Sequence, residues 1–206
     1  MKKLSLIMAL FAMVALAACN KDKDNDDNNN DNNNPPAETK GVVINELMTK
    51  DTKGLVYVDG QGDASDWVEI YNASDKDINI GGYYLTDDGK DDDPANLWEI
   101  PTTHANATTV KAGKYLVIVF GAADASGADM DGIVNDTIFC PSGLSTKKDV
   151  AVALFDADKK LVDESENFTA KGPFGALEDD KSLGRESDGK DTWKVFETPT
   201  PGAQNK

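Results

Sequence analysis

One histidine, two cysteines and 37 acidic side chains bound the chemistry open to this 206-residue chain. Nucleophilic catalysis needs a base held beside its nucleophile. The single histidine, His104, lies in the polar stretch 102–109, and no Gly-x-Ser-x-Gly turn displays a serine. A His-Glu-x-x-His helix needs two histidines, and tetrahedral zinc needs several His or Cys ligands. Cys140 follows Ile138 and Phe139 and reads as a small buried hydrophobe, not a nucleophile. A glycosidase-type pair of acids is open by composition, yet nothing marks two of so many carboxylates as partners. The chain is therefore expected not to be an enzyme.

The carboxylates do suggest a hard cation. Asp87, Asp88 and Asp91 crowd the segment 87–93, while Asp129 and Asp131 belong to a second acidic stretch ending at Asn135 and Asp136. Calcium takes about six to eight oxygen ligands, and such loops supply several each. Neither follows the EF-hand order, because no Glu closes a loop of that length. The competing reading is a turn-rich acidic surface, so the expected cofactor is either none or calcium.

The other chemically distinctive residue is Cys19. Lys2 and Lys3 precede an apolar run over residues 4–18, in which Ser5 is the only polar residue, and the run ends in Leu16-Ala17-Ala18-Cys19. At about 15 residues it is short for a membrane span but suits a signal-peptide core. Small residues ahead of a cysteine resemble a bacterial lipobox, which implies a lipid on Cys19 as the first mature residue. The plainer alternative is secretion with an incidental cysteine. Several acyl chains would make the anchor stable. Cys140 then has no intramolecular partner, so a hydrophobic core must hold the fold. The longest later apolar run, 115–120, is strand-sized, so membrane contact is expected through lipid alone.

The net charge is −16, and −18 once Lys2 and Lys3 leave with the signal. Nucleic-acid affinity rests on Lys and Arg releasing counterions. With one arginine in the chain, Arg185, no nucleic-acid partner is expected. Residues 20–40 contain almost nothing apolar, are too polar to offset the entropy of ordering, and read as a disordered tether. Its r.m.s. reach is about 25 Å for a flexible chain. The acidic cluster after Cys19 resembles an export signal to the outer face of the outer membrane; a solvated spacer is the alternative.

From Gly41 onward, short apolar runs alternate with turn residues. Strands are expected at 42–44, 67–71, 77–80, 83–86, 97–100, 115–120, 150–155 and 160–162, with a hairpin turn at Asp156-Ala157-Asp158-Lys159. In Trp67-Val68-Glu69-Ile70-Tyr71, Val68 and Ile70 share one face while Trp67, Glu69 and Tyr71 share the other. No amphipathic helix of three turns is evident. Regular short strands between turn signals mean a sandwich or barrel.

Several phrases together resemble the lamin tail domain. They are Val43-Ile44-Asn45-Glu46, Asp66-Trp67-Val68-Glu69-Ile70-Tyr71-Asn72, Gly82-Tyr83-Tyr84-Leu85-Thr86-Asp87, Lys111-Ala112-Gly113-Lys114-Tyr115, Gly143-Leu144-Ser145 and the hairpin 150–163. The bacterial form tends to finish as this chain does, with Ser182-Leu183-Gly184-Arg185, Asp188-Gly189, Trp193 and Thr198-Pro199-Thr200-Pro201-Gly202-Ala203-Gln204-Asn205. The resemblance implies an all-β, immunoglobulin-like β-sandwich over 41–206, following a signal peptide (1–18) and tether (19–40). It also implies a modular interaction role, here with a separate protein or a glycan or other envelope polymer. The segments 50–63 and 122–136 look like long loops, where binding specificity tends to sit. Exposed aromatics would mark such a contact, and Tyr57, Tyr83, Tyr84 and Trp98 are the candidates. Trp67, Tyr71, Trp98, Phe120, Phe155 and Trp193 are candidate core side chains. Glu69 shares its face with two aromatics, so it is either solvated or buried and paired. In the buried case Arg185 is the candidate partner, pairing with Glu69 or Glu46 and so clipping the C-terminal segment to the sandwich.

Overall fold

The structure, a computed structural model, describes residues 41–144 and 151–206. Cys19, the signal and the tether lie outside the described residues, as do Ser145 and Val150. Thirteen strands follow in chain order: β1 (Val42–Met48), β2 (Asp66–Asn72), β3 (Ile78–Asn79), β4 (Tyr84–Thr86), β5 (Trp98–Glu99), β6 (Thr109–Val110), β7 (Tyr115–Phe120), β8 (Gly132–Val134), β9 (Thr137–Cys140), β10 (Ala153–Phe155), β11 (Leu161–Glu164), β12 (Ser182–Arg185) and β13 (Trp193–Phe196). One four-residue helix, α1 (Ala105–Thr108), precedes β6, and among the described residues no helix can cross a membrane.

Two main sheets face one another. The larger has the order β13-β12-β1-β2-β7-β9-β8 and the smaller β11-β10-β4-β5, with β3 and β6 forming a separate pair. All neighbours are antiparallel except β7 and β9. Alternation explains the core. Ile44, Val68, Ile70, Ile118, Ile138 and Leu183 of the large sheet meet Leu85 and Leu154 of the small one, all essentially without solvent contact. Each such side chain contributes about 1.5–3 kcal/mol by leaving water. The expected sandwich is thus observed, and Cys140 lies inside it as a small apolar side chain. Burial pushes its thiol up to about 12.

Of the expected large core side chains, Trp67, Phe120 and Phe155 are buried, whereas Trp98 and Trp193 are half-buried and packed against the core. Tyr71 is half-buried on the outer face, its ring 5.2 Å from that of Tyr115. The strand limits differ from expectation at several ends; 160–162, for instance, becomes Leu161–Glu164. The hairpin turn is as read, with Lys159 in the left-handed region at φ 59° and Asp156 N–H donating to Lys160 O at 2.9 Å.

One irregularity organises everything that follows. Along β1, Ile44 opposes Ile70 and Glu46 opposes Glu69, which leaves Asn45 as an extra residue, a β-bulge. Because Ile44 and Leu47 both face the core, the bulge turns Asn45 and Glu46 together onto the outer side, beside Glu69. Gly184 opposes Glu46 on β12, and a Cβ there would lie 2.9 Å from the Phe196 ring, 3.0 Å from Glu46 and 3.2 Å from Asn205. Glycine is needed at this position because other side chains already fill the space.

Candidate functional site

Much of the outer face of the large sheet is covered, although a sandwich leaves that face open by default. Two covers lie on it. The first is a C-terminal strap that leaves β13 and passes over β12, β1 and β2. Glu46 accepts hydrogen bonds from the Ser182 hydroxyl, from Thr200 N–H at 3.0 Å and from Thr200 Oγ1 at 2.8 Å. Glu69 accepts from Asn45 Nδ2 at 2.9 Å and from Gly202 N–H at 2.6 Å. Asn45 Nδ2 also donates to Asp188, which in turn accepts from Tyr115 Oη at 2.6 Å and from Asn205 N–H at 3.1 Å. Asn205 Nδ2 closes the circuit on the carbonyls of Arg185 and Asn45.

Glu46 and Glu69 are fully buried. Desolvation raises both carboxyls above their usual range despite these donors, and Glu69 reaches about 8, with the charges of Glu46 and Asp188 adding to the rise. Burial likewise raises the Tyr115 phenol, helped by its bond to Asp188.

Arg185 is buried as expected, but its expected partners are corrected. It shares the inner side with Leu183, and its Nη2 pairs with Asp163 Oδ2 at 2.7 Å, on β11 of the other sheet. Nε donates to Ile44 O at 2.7 Å, Nη1 donates to Lys190 O, and the guanidinium lies 4.8 Å from the Trp193 ring. Asp163 also accepts from Ile44 N–H at 2.8 Å. Strand β12 pairs β1 only at Glu46 and Leu47, so the backbone groups of Ile44 would otherwise lack partners. The pair therefore sews the two sheets together at the bulge, while Glu46 and Glu69, across the sheet, hold the C-terminal strap. The clip exists, built from carboxylates and backbone amides.

The second cover is made by the loops 49–65 and 121–131. Gly60 N–H donates to Ala123 O at 2.8 Å, Ala123 N–H to Asp59 Oδ2 at 3.0 Å, and Gln61 Nε2 to Asp124 O at 2.8 Å. Tyr57 stands edge-on to Phe139 at 4.9 Å, and with Val119, Ala122 and Met130 they form a second, small apolar cluster. The loops read separately in the sequence are thus one joined rim. A Cβ on Gly60 would sit inside the backbone of Asp124 and Ala125. Gly60→Ala should therefore part the two loops without unfolding the sandwich. Limited proteolysis should cut between residues 50 and 65 several-fold faster, with a midpoint of thermal unfolding lowered by only about 2–4 °C. Unchanged cleavage would show that the rim is not held there.

The aspartates expected to bind calcium are not gathered. Asp87, Asp88 and Asp91 lie between β4 and β5, Asp129 and Asp131 between β7 and β8, and among the described residues no three His, Cys, Asp or Glu side chains are placed to hold a metal. Acids of these loops are taken up by nearby donors, from within the loop or from a neighbouring strand. Asp92 accepts from Thr86 Oγ1, Asp124 from three groups of Ser126 and Ala128, and Asp131 from Trp98 Nε1 at 2.9 Å. The Ser126 hydroxyl and these amides hold Asp124 below the carboxylate range, and amides led by Asp63 do the same for Asp59. Asn135 and Asp136, at φ 50° and 63°, form a two-residue turn between β8 and β9.

Nor are the four aromatics brought onto one face. Tyr57 lies under the rim, Tyr83 and Trp98 pack against the core, and Tyr84 on the small sheet has the Lys159 ammonium 4.8 Å from its ring centre. All four are half-buried. His104, exposed and left-handed at φ 58°, begins α1. Asn45, Asp163, Asp188 and Asn205 were not singled out from sequence, although all four stand inside the quoted phrases.

Comparison with curated proteins returns no match. The family model described as the lamin tail domain matches residues 35–168, which takes in β1 to β11 and stops short of the C-terminal strap. That match spans more than half of the sequence and agrees with the immunoglobulin-like sandwich, so the chain belongs to the lamin tail domain family.

Proposed function

We propose that this protein is a non-catalytic interaction module of the cell envelope, held by lipid on Cys19 and presenting its loop rim to a separate protein or envelope polymer. The observation that carries this reading is how the buried reactive groups are used. Glu46, Glu69 and Arg185 each hold a strand, strap or bulge in place, and the Cys140 thiol is enclosed in the core with its pKa raised. What faces outward is a rim whose two loops are tied by one backbone hydrogen bond and by the Asp59 and Gln61 side chains, with Leu55 and Val58 about half exposed at 46% and 51%. A rim of this kind is pre-organised, and little ordering entropy opposes binding through it.

Two variants of the full chain test the reading. Cys19→Ser should move the protein from the membrane fraction to the soluble one; retention in the membrane would refute the lipid anchor. The soluble variant, used to capture partners from envelope extract, should retain a specific component. Capture should weaken at least about tenfold, or about 1.4 kcal/mol, when Gly60→Ala is added. Equal capture with and without the rim substitution would remove the rim from the binding surface.

A further inference from the structure

The C-terminal strap is attached in an unusual way. Among the described residues no backbone-to-backbone hydrogen bond joins 198–206 to the sheet; the one within the strap runs from Ala203 N–H to Thr200 O. Its hold on the sheet is through side chains, chiefly Glu46 for Thr200, Glu69 for Gly202 and Asp188 for Asn205. Lifting the strap would therefore break no strand ladder. The ionisable side chains that meet residues 200–205 are acids. Strand β1 contributes Glu46, β2 contributes Glu69, β7 contributes Tyr115 and the turn after β12 contributes Asp188. From β12 itself come the Ser182 hydroxyl and the Arg185 carbonyl, while the Arg185 guanidinium bonds Asp163 and Asp191 toward the inner side. One cation reaches the strap's end, Lys194 of β13, which donates to Lys206 O at 3.2 Å and lies over the Phe196 ring, while Lys181 pairs with Glu197 and Glu178.

We propose that the strap is a pH-operated clasp, closed in mildly acidic surroundings and released as the pH rises, because closing it confines Glu46, Glu69 and Asp188 under neutral donors only. The direction follows from linkage. Glu69 holds its proton to about pH 8 when enclosed, against 4.5 for an ordinary glutamate, so the closed form binds a proton that the open form has lost between those values. Closure is thus favoured fully below the ordinary value and weakens as pH climbs through the enclosed one. An envelope protein meets the outside pH directly, and release would uncover the outer face of β1 and β2.

Amide hydrogen exchange on the full chain tests this. After division by intrinsic rates, protection at Thr200 and Gly202 should fall roughly tenfold or more from about pH 5.5 to about pH 8.5, while Ile118 in β7 stays protected. Asp188→Asn is the informative variant. Its new amide can donate to Tyr115 Oη, which rotates to accept, so the fold is kept while one negative charge leaves Glu69. It should flatten the pH profile. Protection of the strap that ignores pH, that falls in step with Ile118, or that keeps its wild-type profile in Asp188→Asn would each overturn the clasp.

Discussion

Arg185→Ala is expected to cost the domain about 3–5 kcal/mol, measured by urea denaturation near neutral pH. The side chain is only 3% exposed, and its removal strands three groups at once. Asp163, 17% exposed, loses its cation; Ile44 O loses its donor at the bulge; Lys190 O loses the bond that closes the turn after β12. The loss is larger than a surface ion pair would give, because a largely buried carboxylate remains behind without its cation. Arg185→Lys should recover little, since an ammonium cannot reach Asp163, Ile44 and Lys190 in the plane that the guanidinium spans. Asp163→Ala should be comparably severe, and the double variant should cost less than the sum of the two. A loss below about 1 kcal/mol for Arg185→Ala would mean that the sheets are not joined at this point.

The sequence carries this architecture unevenly, for identifiable reasons. The inward faces of β2 and β7 are readable because alternation is a local property: Val68 and Ile70 fall into the core as their spacing predicts. The outward face is not, because what covers Glu69 arrives from residues 198–205, far away in the chain. A period of two tells which residues share a side and says nothing of what lies on that side. The partner of Arg185 was within reach. Leu183 is apolar and two residues away, so Arg185 points inward with it, whereas the bulge turns Glu46 outward beside Glu69. Pairing across the sheet is impossible once the extra residue at Asn45 is recognised, and an Asn before Glu in an apolar strand is its only local sign. The acidic loops are a separate case. The oxygens that could ligate calcium are the same ones that cap a turn, and which amides point at Asp92 or Asp124 is decided by the folded loop, not by composition.

Asn45→Ala should cost about 2–4 kcal/mol at mildly alkaline pH and distinctly less near pH 5. Asn45 is the one side chain that serves both Glu69 and Asp188, through Nδ2, while its Oδ1 accepts from Gly189 N–H at 3.2 Å. Truncation leaves two carboxylates short of a donor and one amide short of an acceptor. The pH dependence follows from which form of Glu69 the amide favours. Its hydrogen bond lowers the Glu69 pKa against the larger effect of desolvation, so removing it lets the folded-state value climb above about 8. The unfolded value stays near 4.5, and the folded state of the variant binds its proton still more tightly than wild type does. Stability that is complete below the unfolded value is then lost over a wider window as pH rises, the decline continuing past the pH at which the wild-type curve levels off. At pH 5 Glu69 is neutral in both folded proteins and the charged form that needs Asn45 is absent, so only the lost neutral hydrogen bonds count. Urea denaturation of wild type and variant at about pH 5, 7 and 8.5 separates these contributions. A difference between them that is constant across the three would show that Asn45 serves the bulge and the Gly189 turn alone, with no part in sustaining the buried charge.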